Sequence, residues 1–146
     1  MHHHITQFLF SYCAIIILSA SSFVNAKMRL VISQFERILR IIMKEALSFI
    51  EQHYSEDISI EDISSFCGLN RSYFSKVFRD TMGESPQGFL LHYRMARAAQ
   101  LLTESRLPIS TISTMVSYPN QLHFSRAFKN VYGISPRDYR AKHFAL

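Results

Sequence analysis

Cysteine, glycine and proline are scarce in this 146-residue chain, and tryptophan is absent. The two cysteines, Cys13 and Cys67, lie far apart and form no Cys-x-x-Cys pair. This argues against a disulfide framework and against a zinc site. The chain also lacks a phosphate-cradling glycine loop and the HExxH and GxSxG motifs. No catalytic arrangement is evident, so we expect a protein that is not an enzyme and needs neither a cofactor nor a metal.

Charged residues are missing from the start of the chain, where no Asp, Glu, Lys or Arg precedes Lys27. Residues 8–18 form an apolar run, and Val24-Asn25-Ala26 resembles a cleavage site for a signal peptide. One interpretation of residues 5–26 is therefore a signal or a short membrane span. The region before the run carries His2, His3 and His4 instead of the expected Lys or Arg.

Two other interpretations of this apolar segment, residues 1–27, stay open. The histidines are compatible with the remnant of a tag, and Met28 is a plausible alternative start. The segment also suits the buried tail of a larger upstream domain. We favour these interpretations over membrane attachment, and we treat residues 28–42 as a linker or an oligomerisation helix.

Few helix-breaking residues occur after residue 42, and apolar residues recur there at helical spacing. Met43, Ala46, Leu47, Ile50 and Tyr54 form one such stripe. No alternating strand pattern appears over residues 43–146, so this part is predicted to be all-α. Ser59, Asn70, Ser85, Asn120 and Ser135 stand where helices should begin, since each side chain can accept a hydrogen bond from a free backbone N–H.

A segment is written twice, fifty residues apart. Residues 72–86 read SYFSKVFRDTMGESP and residues 122–136 read LHFSRAFKNVYGISP, with six of the fifteen positions identical. In each copy we expect a short helix, a turn and a second helix, over residues 59–83 and 108–133. The short helices should bury two groups of residues: Ile63, Phe66 and Cys67, then Ile109, Ile112 and Val116.

The second helix of each copy, residues 71–82 and 121–132, has one aromatic and one polar-basic face. We expect the aromatic face to be core: Phe74, Phe78, Phe124 and Phe128. A helix-turn-helix inserts its second helix into the major groove, where Lys and Arg can bind base edges. A long helix over residues 86–104 would set the two probes about one turn of DNA apart, about 34 Å.

Basic charge is concentrated where the repeat lies. From Ser105 onward six Lys/Arg residues face one acid, Asp138, whereas the stretch between Gln34 and Asn70 is acidic. Lys76 and Arg126 occupy equivalent places, which favours DNA contact over a solvated surface. Arg79 and Lys129 suit phosphates better than bases. Ser75 and Ser125 are either base contacts or small spacers, and His123 is either a DNA contact or a surface histidine.

Residues from about 43 to 142 resemble the DNA-binding domain of the AraC/XylS family of bacterial transcription regulators. The resemblance rests on Ile60–Gly68 with Tyr73–Arg79, on Ile109–Tyr118 with His123–Lys129, and on the tail Tyr132–Arg140. It implies a seven-helix, homeodomain-like pair of helix-turn-helix units joined by a helix, and the extra apolar helical segment at the start of the chain lies outside the resemblance. The positions that it implies approach DNA are Arg71, Ser72, Ser75, Lys76, Arg79, Gln121, His123, Ser125, Arg126 and Lys129.

The resemblance also implies partners and exposes two departures. Double-stranded promoter DNA and RNA polymerase are the expected partners, in the cytoplasm. Only about forty residues precede the matching part, too few for a ligand-holding barrel, so no small-molecule effector is expected. Ser117 stands in the second turn where the family usually has Gly. If that turn needs a left-handed residue, Ser there costs about 1 kcal/mol.

Overall fold

The computed structural model describes residues 26–144, and within them seven α-helices and no strand are present. The predicted all-α fold is therefore confirmed for this part of the chain. The expectations for residues 5–25, including membrane attachment, lie outside the described residues. None of the helices formed by residues 26–144 is long and apolar enough to cross a membrane. The helices are α1 Ala26–His53, α2 Ile60–Phe66, α3 Arg71–Met82, α4 Pro86–Glu104, α5 Ile109–Met115, α6 Gln121–Tyr132 and α7 Pro136–His143.

The chain divides into two compact regions between Ile41 and Ile42. In the N-terminal region, the described residues 26–41 are helical and leave Leu30, Val31, Ile38 and Ile41 exposed. The C-terminal region holds the rest of α1 and the six helices that follow it. Both copies of the repeat lie in this C-terminal region, so it positions the candidate site.

Side-chain caps fix where the helices of the C-terminal region begin. Ser59 accepts a hydrogen bond from the N–H of Asp62, whose carboxylate accepts one from the N–H of Ser59 at 2.7 Å. This reciprocal pair satisfies two donors that a helix start leaves free. The other predicted caps, at Asn70, Ser85, Asn120 and Ser135, are confirmed by the same kind of bond. Gly83 and Gly133 end the two long repeat helices, each with a φ of 79°.

Aromatic side chains fill the space beneath both copies in the same way. Phe74 and Phe78 are fully buried with ring centroids 5.6 Å apart, and Phe124 and Phe128 repeat this at 5.7 Å. The predicted core role of these four rings is confirmed. Each pair anchors its helix with the opposite face outward, since burying one large aromatic side chain contributes about 1.5–3 kcal/mol.

The duplication extends further than the repeated sequence indicates. Phe78 meets the ring of Phe89 edge-on at 5.5 Å, and Phe128 meets Tyr139 edge-on at 5.3 Å. Phe89 and Tyr139 are again fifty positions apart. The helix that follows each Ser-Pro pair is therefore locked to the recognition helix by an equivalent aromatic contact.

Two predicted core positions need correction. Phe66 is 54% exposed rather than buried, and its ring lies 4.7 Å from that of Phe49. The buried face of α2 is Ile60, Ile63 and Ser64. Phe66 follows Ile63 by three positions and lies at the edge of this face, where its ring packs against Phe49. Cys67 is only half-buried. Ile109 is also half-buried, but it packs against the core as predicted.

Leu47 and Tyr54, at the edges of the predicted stripe on α1, are also half-buried, whereas Met43, Ala46 and Ile50 are buried as expected. The stripe is therefore narrower than its sequence pattern indicates. Tyr54 keeps part of its ring near the surface, where the guanidinium of Arg97 lies 5.6 Å from the ring centre.

Candidate nucleic-acid interface

The outer face of α3 carries the first set of predicted contact residues. Arg71, Ser72, Lys76 and Arg79 are exposed, and Ser75 is half-buried between them and the core. The ammonium group of Lys76 lies 3.0 Å from the carboxylate of Asp80, one turn further along the helix. Both side chains are more than half exposed, so this pair contributes little to stability and leaves Lys76 able to exchange partners.

The outer face of α6 carries the second set. Gln121, His123, Arg126 and Lys129 are exposed, and Ser125 is half-buried like its counterpart Ser75. The residue equivalent to Asp80 is the neutral Asn130, so α6 has no acid one turn after Arg126. Because α3 carries Arg71, Lys76 and Arg79 against Asp80, and α6 carries Arg126 and Lys129 with no acid, the two helices have the same formal net charge of +2.

Equivalent hydrogen bonds orient both outer faces. The side chain of Asn70 accepts from the N–H of Tyr73 at 2.9 Å, and that of Asn120 accepts from Leu122 and His123 at 2.8 and 3.1 Å. The buried rings behind each helix fix its rotation. Together the caps and the cores hold two polar-basic helix faces in the same local arrangement.

The turns that connect the paired helices share one backbone hydrogen bond and differ in length by one residue. In the first turn the N–H of Leu69 donates to the carbonyl of Ser64, and in the second the N–H of Tyr118 donates to Ser113, both at 2.9 Å. After these bonds the second turn has an additional residue, Pro119, before the capping asparagine.

Ser117 adopts the left-handed conformation that its position in the second turn requires. Its φ is 65°, close to the 69° of Gly68 in the first turn. The conditional expectation of strain at Ser117 is therefore met, because a side chain in this region costs about 1–2 kcal/mol. The hydroxyl of the buried Ser113 donates to the carbonyl of Tyr118 and helps to hold this turn closed.

One arginine on the helix after each helix-turn-helix unit donates hydrogen bonds to carbonyls near the end of the helix before that unit. Arg94 on α4 donates to the carbonyls of Tyr54 and Glu56 at 2.9 and 2.7 Å. Arg140 on α7 donates to Leu102 at 3.4 Å and Leu107 at 2.6 Å. Each guanidinium thereby satisfies carbonyls at or just beyond the end of a helix. Burial lowers the pKa of Arg94 from its usual value.

Sequence reasoning did not predict these arginine contacts, because their partners lie 33 to 40 positions away in the chain. It also overlooked the buried serines Ser64 and Ser113, although each stands beside an isoleucine on the buried side of a short helix. A serine on an apolar stripe is the signal for such a site, since its hydroxyl can bond to a nearby carbonyl.

Acidic and basic residues of the C-terminal region lie in different parts of its sequence. Residues 42–70 contain six acidic side chains and one basic side chain, Lys44, whereas residues 71–146 contain eleven Lys/Arg and four Asp/Glu. The acidic part belongs to α1, α2 and the segment between them. The recognition helices therefore lie in the part of the chain that a polyanion attracts.

Two helix-turn-helix units joined by one helix, with matching basic outer faces, define a class of helical nucleic-acid-binding domain. A family model described as a helix-turn-helix domain matches residues 63–142. The chain is 36% identical over 104 residues to the lactose operon transcription activator of Staphylococcus xylosus, covering 71% of this chain and 37% of that protein.

Two further likenesses agree with this match. Identity to the arabinose operon regulatory protein of Escherichia coli K12 is 33% over 100 residues, covering 68% of this chain and 34% of that protein. A transcriptional regulator of Chromobacterium violaceum with an AraC-type DNA-binding domain superposes with a TM-score of 0.67 at 30% identity, covering 71% of this chain and 93% of that one.

The chain belongs to the AraC/XylS family of helix-turn-helix transcriptional regulators. It spans well under half the length of the curated relatives described above, which are named as regulators of operons.

Proposed function

We propose that residues 43–146 bind double-stranded promoter DNA sequence-specifically, with α3 and α6 in adjacent major grooves of one face of the duplex. The observation that carries this proposal is the duplicated outer face. In both copies an exposed basic side chain, Lys76 or Arg126, lies on a helix with the same asparagine cap and the same buried aromatic pair. A lone basic face is commonly a solvated surface. Two equivalent faces joined by one helix match a polymer whose grooves recur at a fixed interval.

The roles of the ten predicted residues follow from their places on the helices. Lys76 and Arg126 lie near the middle of the outer faces and are assigned to base edges, where Arg and Lys recognise guanine. Arg79 and Lys129 lie one turn further on and are assigned to phosphates. Arg71, Ser72, Gln121 and His123 belong to the first turns, from which this motif contacts bases. Ser75 and Ser125, half-buried, let the helix backbone approach the groove closely.

We further propose that the protein acts without catalysis, in the cytoplasm, by recruiting RNA polymerase to the promoter. Support comes from the matched relative that is named as a transcription activator. A DNA-bound regulator needs a second surface for the polymerase. We assign this role to the acidic segment of residues 42–70, because its negative charge does not suit phosphate binding.

A selection of bound sites from random double-stranded oligonucleotides tests the DNA proposal. We expect a two-part motif with centres about 34 Å apart, one turn of the duplex. Affinity for the selected site should fall with salt at a logarithmic slope of about 5–8, reflecting several neutralised phosphates. A single-part motif, or affinity that salt hardly changes, would contradict the proposal.

Substitution of each central base-contact residue should separate readout from simple attraction. Lys76→Ala and Arg126→Ala should each cost about 1–3 kcal/mol and relax preference in one half of the motif. Lys44→Ala is the matched control, since it removes the same charge from an exposed position in the acidic part of the chain. An equal loss in all three variants would mean that only net charge matters.

A further inference from the structure

Leu122 is an exposed leucine on the outer face of the second recognition helix. Its side chain is 57% exposed. Single exposed apolar residues are common on proteins and need no explanation by themselves. The position of Leu122 within α6 is what gives this one significance.

Helical geometry places Leu122 at the start of the basic face, in the first turn of α6. Ser125, Arg126 and Lys129 follow it by three, four and seven positions, so all four share one side of α6. Phe124 and Phe128 are fully buried on the opposite side. The leucine is therefore in line with the side chains that are assigned to DNA.

The first turn of α6 is held in place at this residue. The side-chain oxygen of Asn120 accepts a hydrogen bond from the N–H of Leu122 at 2.8 Å. In a helix-turn-helix, residues of this first turn reach the base edges. The equivalent position in the first unit is Ser72, which is polar. The two units thus differ in chemistry at the position where each meets the groove.

We propose that Leu122 recognises thymine, by packing its side chain on a C5-methyl group in the half-site that α6 occupies. The thymine methyl is the apolar feature of the major groove, and aliphatic side chains are suited to it. This inference rests on the proposed insertion of α6 into DNA. It makes Leu122 a specificity-determining residue that gives one half of the motif a thymine which the other half, facing Ser72, does not require.

The test removes the methyl group without changing base pairing. In the selected site, each thymine is replaced in turn by deoxyuridine, which differs only in lacking the C5-methyl. Burying one such carbon is worth about 0.8 kcal/mol, or about fourfold in affinity at 1.4 kcal/mol per tenfold. We expect the unmodified protein to lose about fourfold at one or two thymines of one half-site and nothing at the others.

Leu122→Ser and Leu122→Asn should bind the thymine and deoxyuridine sites equally well, because their polar side chains replace the apolar contact with the methyl group. Because the side chain is exposed, both variants should keep the thermal stability of the parent. Met115→Ala is the matched control, since Met115 is also an exposed apolar residue, 42% accessible, but belongs to α5. That variant should keep the full fourfold response.

Two results would overturn the assignment while leaving the proposed function intact. The first is a selected two-part motif in which no deoxyuridine weakens binding. The second is a methyl response that persists in both Leu122 variants. If the selection yields no sequence preference at all, the proposed function and this inference fall together, so the two failures are distinguishable.

Discussion

Replacing Ser117 by glycine should stabilise the second unit. The φ of 65° places this residue in the left-handed region, which costs a residue with a side chain about 1–2 kcal/mol. Glycine avoids that cost but loses about 0.5–1 kcal/mol more conformational entropy on folding. The balance predicts that Ser117→Gly raises the free energy of unfolding by up to about 1.5 kcal/mol.

The first unit supplies the reciprocal experiment. Gly68 has a φ of 69°, and a Cβ placed there would meet no atom within 4 Å. Gly68→Ser therefore introduces backbone strain without a steric clash, and it should destabilise the protein by about as much as Ser117→Gly stabilises it. Ser117→Ala keeps the strained backbone while removing the hydroxyl, so it should stay within about 0.5 kcal/mol of the parent.

Urea denaturation followed by circular dichroism measures all three variants, and thermal melting provides a check. A change of 1 kcal/mol in a domain of about 100 residues shifts the melting temperature by about 4 °C or more. The reasoning is refuted if Ser117→Gly is neutral or destabilising while Ser117→Ala is destabilising. That outcome would assign the preference for serine to its hydroxyl rather than its backbone.

Three other substitutions test charges and hydrogen bonds. Asp80→Asn, which copies the neutral residue of the second unit, should strengthen DNA binding severalfold in a gel shift at low salt, because it removes a negative charge beside Lys76; unchanged affinity would place α3 away from the phosphates. Arg94→Ala should lower the free energy of unfolding by about 2 kcal/mol by leaving two carbonyls without their charged donor. Arg97→Ala, which removes an exposed guanidinium from the ring of Tyr54 but no hydrogen bond to these carbonyls, should cost under about 1 kcal/mol; equal losses would argue that the two carbonyl hydrogen bonds of Arg94 add no stability. Hydrogen bonds from Ser59 lower the pKa of Asp62 below its usual value. The stabilisation of the folded state by the ionised Asp62 is therefore complete above the pKa of the unfolded chain, and it is lost as pH falls through the lower pKa of the folded state. Asp62→Asn should therefore flatten the acid side of a stability–pH curve, and an unaltered curve would exclude this role.

Local rules explain why the helix starts were predictable from sequence. Asn70 and Asn120 each cap the helix that follows immediately, so the relevant bond spans only two or three residues. The aromatic cores were predictable for a similar reason, since Phe74 and Phe78 repeat at helical spacing. The sequence therefore indicated the elements and the inward faces of the recognition helices.

Features that depend on tertiary packing were less accessible. Phe66 belongs to an apolar cluster in the sequence, yet it lies at the edge of the buried face of a seven-residue helix and is 54% exposed. The hydrogen bonds of Arg94 and Arg140 reach carbonyls that no local pattern identifies. At the candidate site, sequence reasoning selected polar residues and passed over Leu122, because an apolar side chain is ordinarily assigned to the core.

Pro119 makes the second turn one residue longer than the first, and this small inequality has a wider consequence. Two identical probes related by a two-fold axis would bind a palindromic site equally well in either direction. Here two unlike probes follow one another along a single chain, so the protein has a head and a tail along the duplex. Inverting its site in front of a gene would point the other end toward the start of transcription. The effect on the gene would then depend on which way the site is written, and not only on whether it is present.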